Sequence, residues 1–190
     1  MKVLHISGSP RKDGISTGLA QLFLARIGQQ GATIDSFELN RMQYQGCQGC
    51  YACKTGSERC VLNDELAPVL DELFRTDLVV ISTPVYFSDV SGQLKCFIDR
   101  LFSLAKPDYL TNSEPSRLPK GKKLVFIQSQ EGDKSLHRDI FEKYGGFFNL
   151  AGFQPSLMIR ACGVTSPREI HADQDLLNHV EETARQILAV

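Results

Sequence analysis

Short apolar segments alternate with amphipathic segments along the chain. Continuous apolar runs or period-two alternation predict strands at residues 2–6, 32–39, 77–82, 123–130 and 155–161. Apolar residues at helical spacing predict helices at residues 19–27, 64–74, 93–104, 135–150 and 173–188. Because strands and helices alternate, the sequence predicts an α/β fold, a doubly wound parallel sheet with helices on both faces.

Three connecting segments follow predicted strands, at residues 7–17, 83–92 and 129–135. Ligands of doubly wound sheets bind beyond the carboxyl ends of the strands, near the point where the strand order reverses. We therefore expect these three segments to meet at one edge of the sheet and to form a binding site there.

The first segment, with the sequence SGSPRKDGISTG at residues 7–18, suits a phosphate group. A loop that enters a helix N-terminus presents backbone N–H groups to an anion. Further donors are supplied by Ser9, Arg11, Ser16 and Thr17. The segment lacks both the Gly-Lys-Ser/Thr ending of nucleoside-triphosphate loops and the G-x-G-x-x-G dinucleotide fingerprint. The alternative is an ordinary strand-to-helix turn capped by Ser16 or Thr17.

The other two segments offer groups that suit a flat ring. Backbone amides and aromatic side chains follow the third predicted strand at Pro84, Val85, Tyr86 and Phe87. Ser129 and Gln130 add polar groups after the fourth strand. A phosphate site beside a site for a planar heterocycle indicates a mononucleotide with a tricyclic base, and we expect a flavin. The alternative for Tyr86 and Phe87 is ordinary packing.

These residues resemble a known family. The G-S-P-R sequence at residues 8–11 and the T-P-V-Y sequence at residues 83–86 are similar to two signatures of the flavodoxin-like NAD(P)H-dependent FMN reductases. The family often has asparagine where Ser16 stands, and a serine can also donate to a phosphate. The resemblance implies a five-stranded flavodoxin-like sheet of order 2-1-3-4-5, non-covalent FMN, and a homodimer or homotetramer.

Four cysteines are spaced C-x2-C-x2-C-x6-C, at Cys47, Cys50, Cys53 and Cys60. Such short spacings let one compact loop offer four thiolates to a 4Fe-4S cubane. Structural zinc more often takes two C-x2-C pairs with a longer spacer, so zinc fits less well. The spacing is similar to the compact motif of the iron-sulfur flavoproteins, a branch of the same family, which implies a cluster beside FMN. A redox-active dithiol, a disulfide, or a cysteine-rich segment without a cluster are the alternatives.

Composition limits the partners and the compartment. A formal net charge of -1 and the lack of a basic run argue against a nucleic-acid partner. No apolar run has the length of a membrane span, and the N-terminus lacks a signal pattern. We expect a cytoplasmic protein with one domain, residues 1–190, that carries a cysteine-rich insertion at about residues 41–62.

The remaining cysteines and histidines suggest no further chemistry. We expect Cys96 and Cys162 to be structural and His5 to lie in the core. The other histidines, His137, His171 and His179, have no ligand partner at metal-binding spacing, which predicts surface positions.

The sequence therefore predicts an FMN-dependent oxidoreductase in which no protein side chain acts as a catalytic acid or base. The electron donor would be NAD(P)H or ferredoxin, and the acceptor a quinone, a flavin or an oxygen species. The alternatives are a non-enzymatic electron carrier, a thiol redox sensor, an FMN reductase without a cluster, and a zinc-stabilised binding module.

Overall fold

The computed structural model of the chain describes residues 1–189. The strands are β1 (Lys2–Ser7), β2 (Thr33–Glu38), β3 (Leu78–Tyr86), β4 (Asp89–Val90), β5 (Lys122–Gln130) and β6 (Phe153–Cys162). The helices are α1 (Ile15–Gly28), α2 (Ala52–Thr55), α3 (Leu66–Glu72), α4 (Gly92–Arg100), α5 (Asp139–Ala151), α6 (Pro167–Ile170) and α7 (Gln174–Leu188). Short 3-10 segments lie at Leu39–Arg41, Leu73–Arg75 and Leu101–Leu104.

Five of the strands form a parallel sheet in the order β2-β1-β3-β5-β6. The predicted α/β class and the 2-1-3-4-5 order of the long strands are confirmed. The structure adds β4, which pairs antiparallel with the end of β3 through Val85 with Val90 and Tyr86 with Asp89. The sequence predicts a loop over residues 83–92, because a two-residue strand such as β4 has no measurable periodicity.

Helices cover both faces of this sheet, and two apolar clusters fill the space between. One cluster joins α3, α4 and α5 to side chains such as Leu4 and Phe126. The other joins α1 and α7 to side chains such as Val3 and Val80 on the opposite face. Neighbouring strand residues point to opposite faces, so β1 contributes Val3 to one cluster and Leu4 to the other.

Several predicted boundaries differ from the structure. Helix α1 begins at Ile15 rather than at residue 19, because its first turn holds a single apolar residue, Ile15, and one apolar residue sets no period. Helix α5 begins at Asp139 rather than at residue 135, so residues 135–138, predicted as the start of this helix, belong to the loop that follows β5. Helix α4 ends at Arg100 and continues as a 3-10 segment. Within residues 1–189, no helix has the length and apolar character that crossing a membrane requires.

Candidate functional site

A cavity of about 330 Å³ lies at the carboxyl ends of β1, β3 and β5, and its wall comes from all three predicted segments. Nine of the residues predicted for the cofactor lie in this wall: Ser9, Arg11, Ser16, Pro84, Val85, Tyr86, Phe87, Ser129 and Gln130. Thr17 is not among the residues that line the cavity. The parallel sheet thus brings together groups that are far apart in the sequence.

Ser16 lies in the first turn of α1 and is 1% exposed. Its Oγ has no hydrogen-bond partner within the chain. A buried hydroxyl without a partner lowers the stability of the folded protein by about 1–3 kcal/mol. The position therefore favours a ligand that accepts a hydrogen bond from Ser16. The first N–H groups of a helix also lack intrahelical partners. The alternative of a turn capped by Ser16 or Thr17 is wrong, because the cap position is Gly14 and no side chain caps the helix.

The hydroxyl groups of Ser9 and Thr17 are engaged within the first segment. Ser9 Oγ donates to the Arg11 carbonyl oxygen at 3.0 Å and accepts from the Arg11 amide at 3.2 Å. Thr17 Oγ1 donates to the same carbonyl oxygen at 3.4 Å. A phosphate would have to replace these contacts at Ser9 and Thr17, whereas Ser16 offers a free donor.

The β3–β4 hairpin forms an aromatic rim on the cavity. Phe87 and Ser88 have φ values of 49° and 64°, in the left-handed region that non-glycine residues adopt at a cost of about 1–2 kcal/mol each. Two consecutive residues of this kind are typical of a type I′ hairpin turn. The turn projects Phe87 into solvent, where its side chain is fully exposed, and leaves Tyr86 37% exposed. Aromatic surface therefore remains open to a second molecule at this edge.

The loop after the third segment contributes a residue, His137, that was not predicted for the site. Predicted as a surface residue, His137 is half-buried, lines the cavity and has a φ of 56°. A strained backbone at a cavity wall is common at binding sites. No local signal in the sequence marks His137, because its position depends on the loop of residues 131–138 rather than on periodicity.

Gln130 holds this loop in place. Its Nε2 donates to the carbonyl oxygens of Gly132, Asp133 and Leu136 at 3.3, 2.9 and 3.1 Å. Its Oε1 accepts from Gln128 Nε2 at 2.7 Å and from Arg160 Nη2 at 3.1 Å. The amide of Gln130 is therefore used inside the protein, and its main contribution to the cavity is to position the loop.

The four predicted ligand cysteines line a second cavity, of about 600 Å³. Cys47 and Cys50 are exposed, Cys53 and Cys60 are half-buried, and all four thiols are free. Among residues 1–189, no group of three or more His, Cys, Asp or Glu side chains is arranged to hold a metal ion. The donor set has the composition that a cubane requires, and binding one would require the four side chains to converge.

Cationic side chains surround this second cavity. Lys54 Nζ lies 4.0 Å from the centroid of the Phe102 ring and donates to the Phe102 carbonyl oxygen at 2.6 Å. Burial lowers the pKa of Lys54, as does the Arg117 cation, while the thiols of Cys53 and Cys47 act in the opposite direction. Arg117 Nη2 donates to the carbonyl oxygen of Cys53 at 3.0 Å, so this second cation contacts the residue next to Lys54.

The two cysteines outside the motif are both half-buried. Cys96 lies on α4 and Cys162 ends β6. Burial raises the pKa of the Cys162 thiol, and the Arg160 guanidinium acts in the opposite direction. The structural role expected for both stays a prediction.

Known proteins resemble this chain in sequence and in fold. An iron-sulfur flavoprotein of Methanocaldococcus jannaschii is 36% identical over 100 residues, which are 53% of this chain and 51% of that protein. The chain thus matches about half the length of this curated relative.

Two solved structures share the fold over nearly the whole chain. The FMN-dependent NADH-azoreductase of Bacillus anthracis, in complex with FMN, superposes on this chain with a TM-score of 0.73 at 21% identity. The superposition covers 98% of this chain and 99% of the azoreductase chain. The NAD(P)H:quinone oxidoreductase of Methanothermobacter marburgensis has a TM-score of 0.73 at 17% identity, with coverages of 98% and 96%. Because both identities are low, this structural similarity shows a shared fold and is not evidence of a shared activity.

The family assignment comes from the sequence profile. The profile of the NADPH-dependent FMN reductases matches residues 1–139, which include β1 to β5 and the wall of the first cavity up to His137. The chain belongs to the NADPH-dependent FMN reductase family.

Proposed function

We propose that the protein is an FMN-dependent oxidoreductase that takes electrons from NAD(P)H or ferredoxin and passes them to a quinone, a flavin or an oxygen species. The observation that carries this proposal is the buried Ser16 hydroxyl, which has no partner within the chain. It lies at the start of α1 in the wall of the first cavity, where a phosphate can accept from it and from the first-turn N–H groups.

The chain's own residues would bind and orient FMN. Ser16 would donate to the phosphate, and Ser9 and Thr17 would join it by turning away from the Arg11 carbonyl oxygen. Arg11 lies in the same wall and would add positive charge. When bound, FMN supplies the redox chemistry by accepting a hydride or electrons and releasing them to an acceptor.

The ring of the flavin would lie between the second and third segments. Pro84, Val85 and Tyr86 end β3, and Ser129 lies beside Pro84 on the neighbouring strand β5. His137 adds to the same wall from the loop that follows β5. The exposed Phe87 offers a stacking surface for a nicotinamide or a quinone at the open side. The chain has no dinucleotide fingerprint, so a nicotinamide would be recognised in this open pocket.

We also propose that Cys47, Cys50, Cys53 and Cys60 hold a 4Fe-4S cluster, which when bound would carry single electrons. The shared cavity, the four free thiols and the nearby cations support this assignment. The name of the Methanocaldococcus jannaschii relative supports it as well. A single FMN-binding domain, a cytoplasmic location and a homodimer or homotetramer remain parts of the proposal. Exposed Tyr51 and Phe147 beside the cysteines are surfaces that such an assembly would cover.

The proposal is tested on protein purified without oxygen, by visible absorption, iron and sulfide assays, and FMN titration. We expect Ser16→Ala to weaken FMN binding at least about tenfold, since a hydrogen bond to a charged group contributes about 1.5–3 kcal/mol. Ser36→Ala removes an exposed hydroxyl on β2 and is the control. Unchanged affinity in Ser16→Ala, or no FMN binding by the wild type, contradicts the flavin site.

Turnover separates the enzyme from its alternatives. We expect steady-state oxidation of NAD(P)H, or of reduced ferredoxin, with a quinone or oxygen as acceptor. Electron exchange only with a protein partner would indicate a carrier. Flavin bands without iron would indicate an FMN reductase whose cysteines have another role, and bound zinc without flavin would indicate a binding module.

A further inference from the structure

Three cationic side chains are buried or half-buried around the cysteine loop, residues 46–60. The Arg100 side chain is 0% exposed, and that of Arg117 is 12% exposed. Lys54 lies half-buried within the loop itself. Cations are seldom buried unless a negative group compensates them, so this set requires an explanation.

Each cation holds the cysteine loop through backbone carbonyl oxygens. Arg100 Nη1 donates to the Gln45 carbonyl oxygen at 2.9 Å and its Nη2 to the Leu62 carbonyl oxygen at 3.3 Å, and these two residues flank the loop on either side. Arg117 Nη2 donates to the carbonyl oxygen of Cys53 at 3.0 Å. Lys54 anchors the loop from within by donating to the Phe102 carbonyl oxygen. These contacts hold Arg100 and Arg117 against the backbone of the segment that carries the four cysteines, and Lys54 lies within that segment.

The negative charge within the protein does not balance them. Arg100 pairs with Asp64 at 2.8 Å, and that carboxylate is 16% exposed. The nearest carboxylate to Arg117 is that of Glu58, which is 91% exposed at 3.7 Å and therefore screened by solvent. The Nε atoms of Arg100 and Arg117 are buried without a hydrogen-bond partner.

The other charged side chains in the wall of this cavity are already paired. Lys95 pairs with Asp99 at 2.5 Å, and Lys143 pairs with Asp89. Of Lys54, Arg100 and Arg117, only Arg100 lines this cavity, and only Arg100 pairs with a carboxylate that is shielded from solvent, that of Asp64. Among the described residues this leaves two of the three positive charges without a shielded carboxylate partner. A cubane held by four thiolates carries a net charge of about −2, so it would neutralise these two charges.

We propose that Lys54, Arg100 and Arg117 are positioning residues that hold the cysteine loop in register and raise the reduction potential of the four-thiolate centre through their positive charge. The inference rests on the proposed cluster. One-electron reduction adds one electron and breaks no covalent bond, and the electron comes from the bound flavin in turnover or from dithionite in the assay. Because the reduced centre is more negative, nearby buried cations stabilise it more than the oxidised centre.

The experiment measures the midpoint potential of the anaerobic holoprotein by dithionite titration, followed by absorption and electron paramagnetic resonance. Arg117→Gln removes one charge, and Arg117→Lys keeps it. Lys54→Gln and Lys54→Arg form a second pair. Arg59→Gln is the matched control, because Arg59 lies in the same loop with its side chain 68% exposed and paired to Asp71.

At a fixed potential, we expect each neutral variant to lower the ratio of reduced to oxidised centre at least about tenfold. For one electron, this corresponds to a midpoint potential that is lower by about 59 mV. Arg117→Lys, Lys54→Arg and Arg59→Gln should stay near the wild type. Loss of iron from Arg117→Gln with retention in Arg117→Lys also supports the proposal. Unchanged potentials in both neutral variants overturn it, as does equal iron loss in the neutral and charge-keeping variants. Wild-type protein without iron refutes the proposed cluster itself, and the inference falls with it.

Discussion

Ser91 Oγ donates a hydrogen bond of 2.6 Å to the carbonyl oxygen of Gly8, across 83 positions of the chain. The same hydroxyl caps α4 by accepting from the Leu94 amide at 3.3 Å. One serine thus ties the first segment of the candidate flavin site to the helix that follows the second segment. The amide of Gly8 also donates to the Ser82 carbonyl oxygen at 2.8 Å, so the first segment is held from both sides.

This close approach predicts the effect of Gly8→Ala. A Cβ at residue 8 would lie 2.8 Å from Leu94 Cβ and 3.0 Å from Ser91 Oγ, so α4 or the loop must shift. We expect a loss of about 1–3 kcal/mol in the free energy of unfolding, together with weaker FMN binding. Chemical denaturation and FMN titration measure both.

Gly92→Ala is the control for that substitution. Residue 92 begins α4, and a Cβ there meets no atom within 4 Å. We expect stability equal to or above that of the wild type, because alanine is the better helix former. An equal loss in both variants would show that the packing against Leu94 is not the cause.

Gln130→Ala tests the support of the third segment. The substitution leaves the carbonyl oxygens of Gly132, Asp133 and Leu136 without their donor. We expect the free energy of unfolding to fall by about 1–3 kcal/mol, and amide hydrogen exchange over residues 131–138 to become faster. Glu131→Ala, at the exposed neighbouring position, should leave the exchange rates unchanged. Wild-type exchange rates in Gln130→Ala would refute the positioning role.

His137→Gly and His137→Ala separate backbone strain from side-chain binding. Both variants remove the imidazole from the wall of the first cavity, and we expect both to weaken FMN binding. Since φ is 56°, the glycine variant should be more stable than the alanine variant by about 1 kcal/mol without cofactor. Thermal unfolding and FMN titration give the two readouts. Full affinity in both variants would remove His137 from the site.

His5 predicts a pH dependence of stability. It is 5% exposed, its Nε2 lies 2.9 Å from Ser82 Oγ, and burial lowers the pKa of His5 to about 4. In the unfolded chain the pKa is about 6.5, so the unfolded state takes up the proton first as the pH falls. The free energy of unfolding should therefore decrease between about pH 6.5 and pH 4, by at most about 3 kcal/mol, and this contribution levels off below that range.

The contribution of His5 is isolated by comparing variants over the same pH range. His5→Gln keeps a polar group for Ser82 and should flatten the dependence. His171→Gln, at an exposed position, should leave it unchanged. Equal slopes in the wild type and in His5→Gln would contradict the assignment.

The order of residues alone predicts the fold class and most of the residues in the wall of the first cavity. Apolar periodicity identified the five long strands, since burial on one or both faces of a sheet leaves a direct pattern in the order of residues. Alternation of strands with helices then placed residues 7–17, 83–92 and 129–135 at one edge, because right-handed crossovers bring the carboxyl ends of parallel strands together. The cysteine motif was equally visible, because its four cysteines are close in the chain.

Only the tertiary structure decided which side chains are free and which are engaged. Ser16 and Thr17 look alike in the sequence, but the first has a buried hydroxyl without a partner, and the second donates to Arg11. His137 enters the cavity wall through a loop whose shape depends on Gln130, and Arg117 reaches Cys53 across 64 positions. These contacts leave no periodic signal, because hydrogen-bond partners and buried charges are selected by three-dimensional proximity and not by spacing along the chain.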